Sequence, residues 1–263
     1  MAIIFLFSLL GIFAGFFAGL LGIGGGVIIV PGCVAIFQLM HLPANLWMHM
    51  AIASSLASVT VTATASVRAH QKHGTVLWTI ARRLTPGIII GISLGTYLGH
   101  LMTTTLLSNI FAIFIIIIAI RMGLNIQPHP EHTLPGWFGL SLFAIVMGIS
   151  TGLLGIGGGI LAVPFLARCN IPMTSATGTS AACTLVIGCL GTLNFIWHGW
   201  NTVTLPWSTG YIYWPAVLGI SLTSVLLAPI GAKWTQRLPI PILKRTFALF
   251  LLLIGMQMLN TAA

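Results

Sequence analysis

Gly19-Leu20-Leu21-Gly22-Ile23-Gly24-Gly25-Gly26-Val27-Ile28-Ile29-Val30-Pro31 decides the reading of this chain, because it occurs twice. It returns 133 positions later as Gly152-Leu153-Leu154-Gly155-Ile156-Gly157-Gly158-Gly159-Ile160-Leu161-Ala162-Val163-Pro164, an offset close to half of the 263 residues. A repeat at that spacing predicts two copies of one unit, 1–131 and 132–263. Glycine costs about 1 kcal/mol per residue relative to alanine inside a helix, so three in succession predict a break. The flanking sequence is apolar on both sides, and backbone unwound inside a bilayer is tolerated only where protein or a watery cavity surrounds it. Broken helices at matching positions of two halves point to the binding site of a transporter.

The composition agrees with a membrane setting. Hydrophobic residues make up 57% of the chain and charged residues 4%, with Glu131 the single carboxylate. A soluble protein carries roughly a quarter of its residues as charges. Runs such as 3–21 and 110–120 meet or approach the roughly 20 apolar residues that a spanning helix needs. A polytopic membrane protein follows, in contact with the lipid bilayer. The net charge of +9 then reads as loop charge on one side of the membrane and gives no argument for nucleic acid. The first twenty residues have the look of a signal peptide. No basic stretch precedes them and the segment recurs at 140–154, so they are expected to belong to the mature protein. Cys33, Cys169, Cys183 and Cys189 form no CxxC pair and show no metal-ligand spacing, so neither metal nor cofactor is expected.

Apolar segments run at 2–22, 27–39, 47–67, 84–101 and 106–124, then at 136–153, 159–168, 174–197, 211–231 and 242–260. His73-Gly74 answers His198-Gly199, and Phe111-Ala112-Ile113-Phe114 answers Phe247-Ala248-Leu249-Phe250. The basic residues sort by side. Arg68, Lys72, Arg82 and Arg83 follow the third segment of the first half, whereas Lys233, Arg237, Lys244 and Arg245 follow the fourth segment of the second. Equivalent loops therefore face opposite sides, which predicts an inverted repeat. The expected fold is an all-α membrane protein of two inverted repeats, each a Gly-broken helical hairpin followed by three spanning helices. With loops 68–83 and 232–245 in the cytoplasm, all ten Lys and Arg lie inside and both termini outside. Trp47, Trp197, Trp200, Trp207 and Trp214 then fall at the outer interface and Trp78, Trp137 and Trp234 at the inner one, as an aromatic belt requires. Segments 27–39 and 159–168 are too short to span; at 1.5 Å per residue the second is about 15 Å long. Each is expected to close a hairpin whose glycine tip stops near mid-bilayer, one from each side, so that the tips meet.

The tips offer the chemistry. Gly24, Gly25, Gly26 and Gly157, Gly158, Gly159 are expected to present free backbone N–H groups at the start of a short helix, a natural anion site. Close helix packing is the plainer role for the same glycines. A nucleotide-binding loop is a poor fit, since no Lys-Ser/Thr follows them. The third segment of each half is rich in hydroxyls; Ser54 and Ser55 match Thr179 and Ser180 when the halves are aligned on the His-Gly pair. These four are the expected hydroxyl donors, although Ser and Thr in membrane helices often bond their own backbone. His49, near the outer end of its helix, is a candidate gate or proton site. No Asp or Glu lies in any predicted span, so the carboxylate relay of many proton- and sodium-coupled carriers is absent from the spans.

The two GLLGIGGG…P motifs, one opening each half, resemble those of the sulfite exporter TauE/SafE family of membrane transporters, and the resemblance covers essentially the whole chain. It implies transport of a small, often sulfur-containing anion, such as sulfite or an organosulfonate, across a bacterial inner membrane. Gly22, Gly24, Gly25, Gly26, Pro31 and Gly155, Gly157, Gly158, Gly159, Pro164 are the residues that carry over by motif. The linker Pro128-His129-Pro130-Glu131-His132 departs from the pattern. The leading expectation is a secondary transporter, an exporter and not an enzyme, working by alternating access at a mid-membrane site. Two other readings compete with it: a thiol–disulfide electron carrier using Cys33 and Cys169, and an assembly subunit without transport of its own.

Overall fold

The second glycine run ends one helix and starts the next where the sequence places a break, and the last glycines of the first run start a helix. The structure is a computed structural model describing residues 2–21, 25–124, 133–203, 205–234 and 240–262. Helix α1 is described over Ala2–Leu21, up to the first run, and α2 (Gly26–Leu39) starts at its last glycine; α6 (Trp137–Leu154) and α7 (Gly159–Arg168) flank the second run. Gly155 caps α6 in the left-handed region at φ 66°, where a side chain would be strained. Pro31 and Pro164 are each the sixth residue of their half-helix, and both helices continue past them. The missing N–H frees one carbonyl a turn earlier without ending the helix.

The remaining helices are α3 (Trp47–Lys72), α4 (Trp78–Leu101), α5 (Thr104–Gly123), α8 (Met173–Gly199), α9 (Trp214–Trp234) and α10 (Ile240–Ala262). Among the described residues, seven helices, α1, α3, α4, α5, α6, α8 and α9, are long and apolar enough to cross a membrane. Two features differ from the sequence expectation. The stretch 68–83 is mostly helix: Arg68 and Lys72 lie on the last turns of α3 and Arg82 and Arg83 on the first turns of α4. With 26 residues α3 is about 39 Å long, beyond the ~30 Å hydrocarbon core, so its basic end extends past the apolar layer as helix. The segment expected as helix from 211 begins instead with a hairpin, β1 (Ser208–Thr209) paired antiparallel with β2 (Ile212–Tyr213). Gly210 in its two-residue turn has φ 58°.

Small residues set how the helices pack. Gly11, Gly15 and Gly19 of α1 lie against Ile220, Ser224 and Ala228 of α9, so the two helices run parallel with backbones in contact. Gly87, Gly91 and Gly95 of α4 meet Ser141, Ile145 and Ile149 of α6 in the same parallel sense, with Gly148 and Gly152 answering from α6. Without water to drive association, such small-xxx-small faces are what let membrane helices approach closely. The other principal pairs are antiparallel: Leu56 and Thr60 of α3 face Gly191 and Gly188 of α8, and Ile116 of α5 faces Gly255 of α10. Exchanging the two halves thus turns α1 on α9 into α6 on α4 and returns the α3–α8 and α5–α10 pairs to themselves.

Candidate functional site

The glycine tips meet each other between α3 and α8. A Cβ built on Gly26 would lie 2.7 Å from the Gly155 carbonyl oxygen and 2.8 Å from Ile156 Cα, so the start of α2 sits directly on the second tip. Gly155 in turn lies against Ile52 of α3, and Gly157 against Val59 of α3 and Thr184 of α8. Gly158 caps α7 beside the Thr184 hydroxyl and Ile187, while Gly159 is the first residue of that helix. Gly25 faces Ala14 of α1. Gly22 and Gly24 lie outside the described residues, as do His129, Glu131 and His132 of the linker. The first N–H groups of α2 and α7 have no partner within their helices, so both positive helix ends open toward this junction.

The four expected hydroxyls take three different roles. Ser55 Oγ donates to the Gly155 carbonyl at 2.7 Å and so pins α3 to the second tip. Ser180, in the matching place on α8, is 2% exposed and its Oγ has no hydrogen-bond partner. Ser54 Oγ accepts the Tyr213 N–H at 3.1 Å, and Thr179 Oγ1 accepts the Leu77 N–H at 3.0 Å. Tyr213 and Leu77 each precede the tryptophan that opens α9 or α4, so this second matched pair anchors the entry to a helix. Thr179 is thereby engaged with the α3–α4 connection, and its bond gives it a holding role there. Thr184, whose hydroxyl does flank the tip, matches Val59 in the first half, so no sequence pairing marks it out.

At the other side of α3 from this connection, His49 is 5% exposed and its Nε2 lies 3.1 Å from both the Gly99 and Met102 carbonyls. Its ring stacks on Tyr211 at a centroid distance of 5.2 Å. The Tyr211 hydroxyl pairs with His100 Nδ1 at 3.0 Å, and His100 stacks on His198 at 5.3 Å. Burial holds the Tyr211 phenol above the usual tyrosine range, so its proton stays in place at neutral pH. The hairpin thus wedges Tyr211 between two imidazoles, His49 and His100, with His198 stacked behind the second. Its neighbour Tyr213 packs against Phe7 and Phe37. A cavity of about 520 Å³ opens beside this cluster, lined by Ile28 and Pro31 of α2, Asn45, and Thr104 among others. None of the tip glycines lines it. Of the two cysteines weighed as redox partners, Cys33 is fully buried and Cys169 is 8% exposed; both are free thiols.

Broken half-helices meeting inside a bundle with seven membrane-spanning candidates define a polytopic membrane protein of transporter type. The chain belongs to the sulfite exporter TauE/SafE family, which it matches over residues 7–258. It is 38% identical to a probable membrane transporter protein of Haemophilus influenzae, over 97% of each chain. A probable membrane transporter protein of Xylella fastidiosa is 32% identical over 70% of each chain. One from Methanocaldococcus jannaschii is 26% identical over 89% of this chain and 86% of its own. No solved structure matches the chain.

Proposed function

We propose that this protein is a secondary transporter that exports a small anion, sulfite or an organosulfonate, across a bacterial inner membrane by alternating access. The observation that carries this reading is the junction of the two glycine tips. There two half-helix N-termini converge beside Ser55 and Thr184, and the unpartnered, buried Ser180 lies one turn before Thr184 on α8. Each helix end is equivalent to about half a positive charge, so the junction favours an anion without lysine or arginine. Hydroxyls and backbone N–H groups replace the anion's water, and binding without a full countercharge stays reversible, as a carrier needs. Gly26 packs on the second tip with no space for a side chain, which supports a site that opens and closes by movement of the tips. Two inverted repeats, 1–131 and 132–263, with both termini outside, agree with the parallel α1–α9 and α4–α6 pairs and the antiparallel α3–α8 and α5–α10 pairs. An anion leaving an inside-negative cell gains about 2.3 kcal/mol per charge per 100 mV, enough to drive export.

The test is efflux from proteoliposomes loaded in turn with sulfite, a sulfonate, sulfate and chloride under an imposed membrane potential. Saturable efflux of sulfite or the sulfonate, faster with the interior negative, is the expected result. Equal leak of all four anions, or none above empty liposomes, removes the reading. The electron-carrier alternative has less support, because a fully buried Cys33 thiol offers no approach to a partner disulfide.

A further inference from the structure

His49 has an arrangement of partners that fixes its chemistry. Gly99 and Met102 offer carbonyl oxygens, which only accept, so the Nε2 between them carries a hydrogen in the neutral ring as well as the charged one. The remaining nitrogen, Nδ1, faces Thr104 Oγ1 at 3.5 Å. Thr104 has one hydroxyl hydrogen, and it is given to the Asn45 carbonyl at 2.6 Å. The neutral ring therefore points a lone pair at an oxygen whose hydrogen is already engaged. The imidazolium instead points an N–H at an oxygen free to accept, and a shift of about half an ångström completes that bond. All its donors are then satisfied, and its face lies on the Tyr211 ring, which favours a cation. The cost of holding charge away from water opposes these bonds.

The same geometry supplies a route. Thr104 and Asn45 line the 520 Å³ cavity, so a proton arriving there reaches Nδ1 past a single hydroxyl. Against the face of the ring stands Tyr211, and beyond it the chain His100, His198 and Tyr97. The sequence places no lysine, arginine or carboxylate in 38–49, 95–108 or 194–214, so imidazoles are the basic side chains of these stretches. Without a carboxylate to balance them, a second charge in the cluster is repelled by the first. Six residues further along α3, about 9 Å, Ser55 holds the second glycine tip.

We propose that His49 is a proton-binding site of the transport cycle, taking up H⁺ at Nδ1 by way of the cavity and Thr104. Uptake forms one N–H bond and turns neutral imidazole into imidazolium; release reverses it. The role in transport rests on the anion-carrier reading above, whereas the protonation itself does not, and two measurements separate them. The first is ¹⁵N-histidine NMR of the protein in lipid nanodiscs over about pH 5 to 9, with His49 assigned by the H49Q difference spectrum. An Nε2–H tautomer that gains a proton at Nδ1 in that window, with a midpoint moved by Thr104→Val and restored by Thr104→Ser, is expected. An Nδ1–H tautomer, or no titration, overturns the proton site. The second is the pH dependence of flux of a radiolabelled organosulfonate, which stays a monoanion across the whole window, in proteoliposomes. Wild-type flux is expected to change at least tenfold across the window, and that of H49Q to be flat. Flux with the same pH profile in both overturns the role in transport even if the NMR titration is present. Absence of flux of any anion in wild type, with the NMR titration intact, rejects the carrier reading and leaves the proton site standing.

Discussion

Ser55 and Ser180 occupy matching places in the two halves and have different surroundings, which makes them a controlled pair. Ser55 donates to the Gly155 carbonyl, so Ser55→Ala leaves a buried acceptor unpaired, at a cost of about 1–3 kcal/mol. A fall in thermal stability in detergent, together with weakened transport, is the expected outcome. Ser180 has no partner to lose, so Ser180→Ala should leave the melting temperature where it is. If its hydroxyl donates to a charged ligand, half-saturation for that ligand should rise tenfold or more, equivalent to about 1.5–3 kcal/mol. Thermal unfolding and flux, measured on both variants, decide it; a Ser180→Ala protein with normal half-saturation sinks the donor role. The sequence made this pair visible because aligned hydroxyls in an apolar segment are costly without a purpose. It could not distinguish Ser54 and Thr179, whose identical chemistry is directed to the backbone N–H groups of Tyr213 and Leu77. Hydroxyl orientation is a property of the packed neighbours. Thr184 was illegible for the opposite reason, since its counterpart Val59 carries no hydroxyl and breaks the symmetry that picked out the others.

Between elements, glycine has two uses in this chain. In the runs at the tips it breaks helices; at four-residue spacing it brings helices together. Gly11, Gly15 and Gly19 of α1, and Gly87, Gly91 and Gly95 of α4, present flat stripes to α9 and α6. A Cβ on Gly15 would stand 2.5 Å from Ser224 Cα, and one on Gly91 3.0 Å from Gly148 Cα, both backbone atoms that cannot turn aside. Gly15→Leu and Gly91→Leu are therefore expected to push the helix pairs apart, with a loss of roughly 1–3 kcal/mol or more. Reduced monomer yield and a lower midpoint of thermal aggregation would report it, while the exposed substitution Leu142→Ala on α6 should change neither. These stripes were present in the sequence as a plain four-residue period, hidden because every position in an apolar segment looks alike until a partner is known. The β1–β2 hairpin was less accessible still. Its strands are two residues each, and Tyr211, Ile212 and Tyr213 read as the start of the apolar run that becomes α9. What makes them a hairpin is tertiary: Tyr211 N–H reaches the Phe195 carbonyl at 3.3 Å, and Tyr213 N–H reaches Ser54.

For the molecule as a whole, the sequence read direction from charge and the structure reads it from packing, two unrelated signals. Charge placed the ends bearing Arg68, Lys72, Arg82 and Arg83 on the same side as Arg121 and Arg168. In the fold, α3 ends and α4 begins at one end of the bundle, α5 returns to that end, and α6 leaves from it parallel to α4. A single inside face for these residues is thus compatible with every helix direction. The absolute orientation is an expectation of the positive-inside rule, under which that face is the cytoplasmic one. It is tested in a variant lacking Cys33, Cys169, Cys183 and Cys189, with one new cysteine at an exposed position on each side. His73, at the end of α3, and Asn201, after α8, are both exposed, and substitution of either leaves the tip junction and the imidazole cluster alone. An impermeant maleimide added to intact cells should label Asn201→Cys and spare His73→Cys until the membrane is opened. The opposite pattern would invert the molecule, moving the His49 end to the cytoplasm and the basic end outside. The tip junction would survive that result, because contact between Gly26 and Gly155 is indifferent to which side is which. Proton loading at His49 would then occur from the cytoplasm, so this one labelling experiment also fixes the side from which the histidine is reached.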